Sequence, residues 1–190
     1  MGLLWRLSCG ATGMKFQMGE KEGHMIGDVI TAMIGYYKGD ARRINHFLKV
    51  FAFAKSIGER EGLTSESQLI LEVAAVTHDI GIKPSEQKYD SCAGEYQQLE
   101  GPPVAREMLM KLGYAPEVIE RVCYLISKHH TYSNIDGLDY QILVEADFLV
   151  NLFEDQSSLS AVLSVRKKIF RTQTGIRYLD DLFLQTTAND

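Results

Sequence analysis

Five histidines occur in the 190 residues, at positions 24, 46, 78, 129 and 130. His78 and its neighbour Asp79 follow directly on Leu69-Ile70-Leu71-Glu72-Val73-Ala74-Ala75-Val76, a run that is apolar nearly all round. A carboxylate placed there is costly to bury unless it is paired or bound to a metal. His46 stands beside Phe47 and shares a helical face with Val50 and Phe53, so it points toward the inside of a bundle. Asp147 lies between Ala146 and Phe148 in another apolar stretch. Taken singly, an inward His is ordinarily a hydrogen-bonded core residue, and an inward Asp a cap or a buried pair. As a set they put an imidazole or a carboxylate on three separate segments where hydrophobes belong. Imidazole with carboxylate suits a divalent transition metal such as Mn, Fe, Co, Ni or Zn. Bundles commonly build such sites from facing helices.

The elements that must carry these residues are read from periodicity. Met25-Ile26, Val29-Ile30 and Met33-Ile34 recur every four residues and predict a helix ending near Gly39. Its stripe over 25–37 serves either the core or a dimer face, with the core favoured. Asp40 is read as the N-cap of the next helix and Gly62 as its stop. Thr64 or Ser65 starts a third, with Ser65 and Gln68 fitting a capping box. Residues 84–100 are polar and show no period, so they read as a long, functional loop in which Tyr89 and Tyr96 shape a pocket. Pro102-Pro103 is read as opening a helix that Gly113 closes, and Pro116 as opening the next. A long helix follows from Leu138 to Glu154, then two weaker ones near 158–170 and 175–184. Nothing alternates with period two for long enough to suggest a sheet. The expectation is an all-α bundle of about seven helices. Residues 1–24 are read as a poorly ordered segment, 25–155 as the metal-binding domain, and 156–190 as helices packing on it; Met14 is an alternative start.

Bulk properties narrow the function. The net charge is −5 and the isoelectric point about 5.6. The short basic pairs Arg42-Arg43 and Lys167-Lys168 do not make a basic face, which argues against binding a nucleic-acid duplex. A local group of cations can still hold a small phosphate in an acidic protein. Three scattered cysteines without a CxxC argue against a disulfide framework or a thiolate zinc site, and for a cytoplasmic setting. No apolar run is long enough for a membrane span.

Four stretches, RRINHFLKV, AAVTHDIGIK, LISKHHTY and ILVEADFLV, stand in an order and spacing that resemble the HD-domain superfamily of metal-dependent phosphohydrolases. The resemblance covers roughly residues 40–155. It implies an HD-like all-α fold, and hydrolysis of phosphate esters or phosphoanhydrides of nucleotides. It also implies that His46, His78, Asp79 and Asp147 ligate the principal metal. Some branches hold a second ion with a His in the loop after the pair and another in the later motif. Here His130, directly before Thr131, matches the later position, with His129 beside it, while Glu100 stands where the loop His is found. Relatives often read HDIGK, the Lys meeting phosphate. This chain reads HDIGIK, so Ile82 takes that place and Lys83 comes one residue late.

The expected chemistry is hydrolysis by a metal-activated water, with one or two ions. Asp79 would ligate and steer the water, and Glu100, His129 or His130 would act as general acid or base. Lys83, or failing it Arg42, Arg43 or Lys128, would offset phosphate charge. The rival readings are a two-iron oxygenase on the same scaffold and a nucleotide-binding regulatory module without turnover.

Overall fold

The central segment of the chain is the one with no polar face. In the computed structural model, which describes residues 26–184, it forms helix α3 (Ser65–Thr77). Leu71, Val73, Ala74, Ala75 and Val76 are all fully buried. Each large aliphatic side chain removed from water in this way contributes about 1.5–3 kcal/mol. Around α3 stand α1 (Ile26–Tyr36), α2 (Ala41–Glu61), α6 (Pro116–Ile126) and α7 (Leu138–Glu154). The remaining helices are α4 (Ile82–Tyr89), α5 (Gly94–Lys111), α8 (Leu159–Lys168) and α9 (Gln173–Phe183). Among the described residues the architecture is thus all-α, with nine α-helices, one short 3-10 turn and no strand. The N-terminal segment 1–24, His24 and Cys9 lie outside the described residues.

Most helix ends follow local chemistry. Asp40 caps α2 by accepting from Arg43 N at 3.0 Å, and Gly62 ends it in the left-handed region at φ 75°. Pro116 opens α6 at its first turn. The stripe of α1 serves the core, with Val29 and Met33 fully buried.

Three expectations are corrected. The third helix is capped by Thr64, whose hydroxyl accepts from Ser67 N at 3.2 Å, rather than by a Ser65–Gln68 box. Residues 84–100 are not a long loop: α4 and the first part of α5 occupy them, separated only by residues 90–93. These helices lack a clean apolar stripe because they lie over a polar site. Pro102 and Pro103 do not open a helix but sit inside α5, where they leave the carbonyls of Gln98 and Leu99 without an i+4 donor.

The His-Asp pair lies in the 3-10 turn His78–Gly81, which leads from the buried end of α3 into α4. Two glycines let this turn meet α5 backbone to backbone. A Cβ on Gly81 would stand 2.4 Å from Gln97 O and 2.8 Å from Gly101 N, and a Cβ on Gly101 would stand 2.6 Å from Ile126 Cγ2. From the other side Tyr36, the last residue of α1, and Tyr37 after it hold the turn. Tyr37 Oη donates to Asp79 O at 2.7 Å and Tyr36 Oη to Ile80 O at 3.2 Å.

Candidate metal centre

Helices α2 and α7, the 3-10 turn and the turn that follows α6 bring their polar residues to one point. His46 Nε2 lies 3.2 Å from Asp147 Oδ1 and 3.5 Å from Asp79 Oδ2. His78 Nε2 lies 3.4 Å from Asp79 Oδ2 and 3.6 Å from Asp147 Oδ1. On the other side of Asp79, His129 Nε2 stands 3.6 Å from Oδ1. Two groups of mutually close donor atoms therefore share Asp79: one with His46 and His78, the other with His129 and His130.

The imidazoles are oriented as ligands usually are. His78 Nδ1 donates to Ala75 O at 2.9 Å, His129 Nδ1 to Ile126 O at 2.7 Å, and His46 Nδ1 to Glu154 Oε2 at 3.1 Å. Each bond fixes the tautomer and turns the Nε2 lone pair inward. The Nε2 atoms of His46, His78, His129 and His130 are all buried without a hydrogen-bond partner. An unpaired buried polar atom ordinarily costs about 1–3 kcal/mol. Four of them converging on two carboxylates fit a divalent cation, which His46, His78, Asp79 and Asp147 could hold, with His129 and His130 available to a second.

The electrostatics agree. Burial alone would drive the carboxyls up, but the surrounding imidazoles hold Asp79 and Asp147 well below the usual carboxylate range. Burial would likewise drive His46 and His78 down, yet the two carboxylates hold both above the ordinary imidazole value. A metal competes with protons for these imidazoles, so its affinity falls as the pH falls. His130 differs: burial, and then the neighbouring His129, push it down to about 4, which leaves it neutral at physiological pH.

The other candidates lie as follows. Glu100 is not in either donor group; its oxygens accept from Lys88 Nζ and, at 2.8 Å, from Tyr89 Oη. Lys83 turns away to α1, donating to Tyr36 O at 3.3 Å with its ammonium 5.0 Å from the Tyr36 ring centre. Ile82, the extra residue of HDIGIK, faces the cavity in its place. Arg43 is paired with Asp40 and Glu86. Arg42 has no ion pair among the described residues and faces the cavity. Tyr89 and Tyr96 stack on each other, ring centres 4.2 Å apart, and do not line the cavity.

Several supporting residues escape a reading of single anomalies. Asn151 donates to Asp147 Oδ1 at 2.9 Å, and Glu154 orients His46 while accepting from Lys49 Nζ at 2.5 Å. Asp147, Asn151 and Glu154 are spaced four and seven apart on α7, which places them on one face. That spacing was the available signal. Gly94 makes room for His130: a Cβ there would meet its ring at 2.8 Å. Gln98 Oε1 then accepts from His130 N at 3.0 Å and fixes its backbone.

The HD-domain family model matches residues 43–165. The chain belongs to the HD-domain family. This is a family of metal-dependent hydrolases, and the matched segment contains all six converging residues of the HD centre. The fold is similar to the crystal structure of a predicted HD superfamily hydrolase from an uncultured Thermotogales bacterium, with 24% identity, 82% of each chain covered and a TM-score of 0.56. No curated protein matches the chain.

The role of Glu154 is open to test. Glu154→Gln keeps the shape but weakens the acceptor that aims His46. Metal affinity is expected to fall about tenfold to a hundredfold, measured by competition with a chelating dye. Unchanged affinity would show that His46 needs no orienting carboxylate.

Proposed function

We propose that the protein is a phosphohydrolase that cleaves a phosphate ester or nucleotide with a metal-activated water. One observation carries the reading: the guanidinium of Arg42, without an ion pair among the described residues, faces the same cavity of about 380 Å³ as His46, Asp79, His130 and Asp147. A bound divalent ion supplies a more acidic water and polarises a phosphoryl oxygen. The chain's own residues supply the rest. Asp79, shared by both donor groups, ligates and orients the water. Arg42 meets the phosphate, the part first sought in Lys83. His130, neutral and at the cavity wall, accepts or returns a proton. The acidic balance of the chain, and Cys92 and Cys123 as free thiols, support a small substrate and a cytoplasmic setting rather than a nucleic-acid duplex. No helix among the described residues is long and apolar enough to cross a membrane.

The test is turnover of a panel of phosphate esters and nucleotides by metal-loaded protein, with phosphate release as the readout. Arg42→Ala is expected to lower kcat/KM about tenfold, since a charge-assisted hydrogen bond is worth about 1.5–3 kcal/mol and this side chain is exposed. Arg42→Lys should restore only part of it, because Lys lacks the bidentate fork. No turnover of any phosphate compound would sink the proposal. The sharing of Asp79 between two donor groups also favours a second reading, a two-iron oxygenase. Iron at two per chain together with substrate-dependent oxygen uptake would establish that reading instead.

A further inference from the structure

The wall of the cavity carries information about what the phosphate is attached to. The protein is not poor in aromatic residues: it has nine tyrosines and eight phenylalanines. Yet among the described residues that line the cavity none is a tyrosine, phenylalanine or tryptophan, and its two imidazoles, His46 and His130, belong to the donor groups around Asp79. Tyr89 and Tyr96 are consumed by stacking on each other, and Tyr37 lies beneath the guanidinium of Arg43 at 5.6 Å. Tyr132 reaches His130 Nδ1 at 3.5 Å but packs on Phe148 rather than forming the wall. Proteins that hold a nucleobase outside a duplex commonly stack it on an aromatic or guanidinium face. The guanidiniums among the described lining residues are Arg42, which is needed by the phosphate, and Arg43, which is locked by Asp40 and Glu86.

What the wall does offer is amide oxygen. Gln97 donates through Nε2 to Cys92 O at 2.7 Å, and because a carbonyl can only accept, this bond fixes which way the amide points. Its Oε1 is left buried with no donor. Asn151 spends its Nδ2 on Asp147, which leaves its carbonyl oxygen as an acceptor at the wall. Acceptors of this kind match the hydroxyl groups of a polyol. Resting on the phosphohydrolase reading, we infer that the substrate is a small polyhydroxylated phosphate monoester of the sugar-phosphate class, and that the site does not gain from a nucleobase.

Ribose 5-phosphate and adenosine 5′-monophosphate carry the same phosphorylated pentose and differ by the base. Both are offered to the manganese-loaded full chain. Hydrolysis of ribose 5-phosphate with a kcat/KM at least tenfold above that of the nucleotide is the expected result. Equal or better use of the nucleotide would overturn the inference while leaving the phosphohydrolase reading intact. If neither is hydrolysed, the phosphohydrolase reading has failed on this pair, and calorimetric binding of the same two compounds still decides the recognition. Tighter binding of ribose 5-phosphate supports it; tighter or equal binding of the nucleotide, or no binding of either at millimolar concentration, overturns it.

Discussion

Purified protein is expected to carry one or two transition-metal ions per chain, and a His78→Ala, Asp79→Ala double variant is expected to carry none. Both residues come from one 3-10 turn, so the double change removes an imidazole and the carboxylate that both donor groups share. The loss should also be visible as stability. A ligand present at a thousandfold above its dissociation constant stabilises the folded state by about 4 kcal/mol. In a chain of this size that is roughly 8–16 °C in melting temperature. A chelator should therefore lower the melting temperature of the parent by an amount of that order and leave the variant unmoved. Elemental analysis and thermal denaturation with and without chelator are the measurements. A parent that stays metal-free even after reconstitution would leave the HD centre as fold alone, and a nucleotide-binding module without turnover would become the better reading.

The second large effect lies outside the centre. Glu145 is fully buried on α7, two residues before Asp147, yet belongs to neither donor group. Its Oε1 accepts from Gln141 Nε2 at 2.7 Å, Arg171 N at 2.6 Å and Thr172 N at 3.0 Å, and its Oε2 from the Thr172 hydroxyl. Thr172 in turn caps α9 by accepting from Gly175 N at 2.9 Å. One carboxylate thus anchors the reversal between α8 and α9. Glu145→Leu leaves several of these donors unpaired and should cost about 3 kcal/mol or more. That corresponds to roughly 6–12 °C, while metal content persists. Burial holds this carboxyl above its ordinary range, with the donors from Thr172 and Arg171 offsetting part of the shift. The folded state therefore binds the proton more readily than the unfolded chain. Stability from Glu145 is complete below the ordinary carboxyl pKa and declines as the pH rises through the raised one. The penalty of Glu145→Leu should consequently be larger at pH 4 than at pH 7. A melting temperature within about 2 °C of the parent at both pH values would refute the anchor, and Glu145→Gln, which keeps an acceptor, should lose less.

Sequence alone determined the helical class, most helix ends and the principal cluster. Apolar period is a local property, and caps such as Asp40 and Gly62 act within one turn, so both are legible along the chain. His46, His78, Asp79 and Asp147 stood out for the same reason: His46 and Asp147 break the apolar pattern of their own helices, and His78 and Asp79 follow directly on that of α3. Tertiary structure decided what depends on residues far apart. Whether 84–100 was loop or helix turned on its packing over a polar site, which erases the stripe that marks a helix. Lys83 and Glu100 carry side chains of the right type, but Tyr36, Lys88 and Tyr89 claim them across the fold. Arg42 and Arg43 are neighbours of the same type, and the fold separates them by bringing Asp40, Glu86 of α4 and the Tyr37 ring to Arg43. The orientation of the imidazoles rests on carbonyls three residues back for His78 and His129, but on Glu154, 108 residues away, for His46. A side chain's chemistry is written at its own position, whereas its availability is set by which partners the folded chain brings within hydrogen-bond reach.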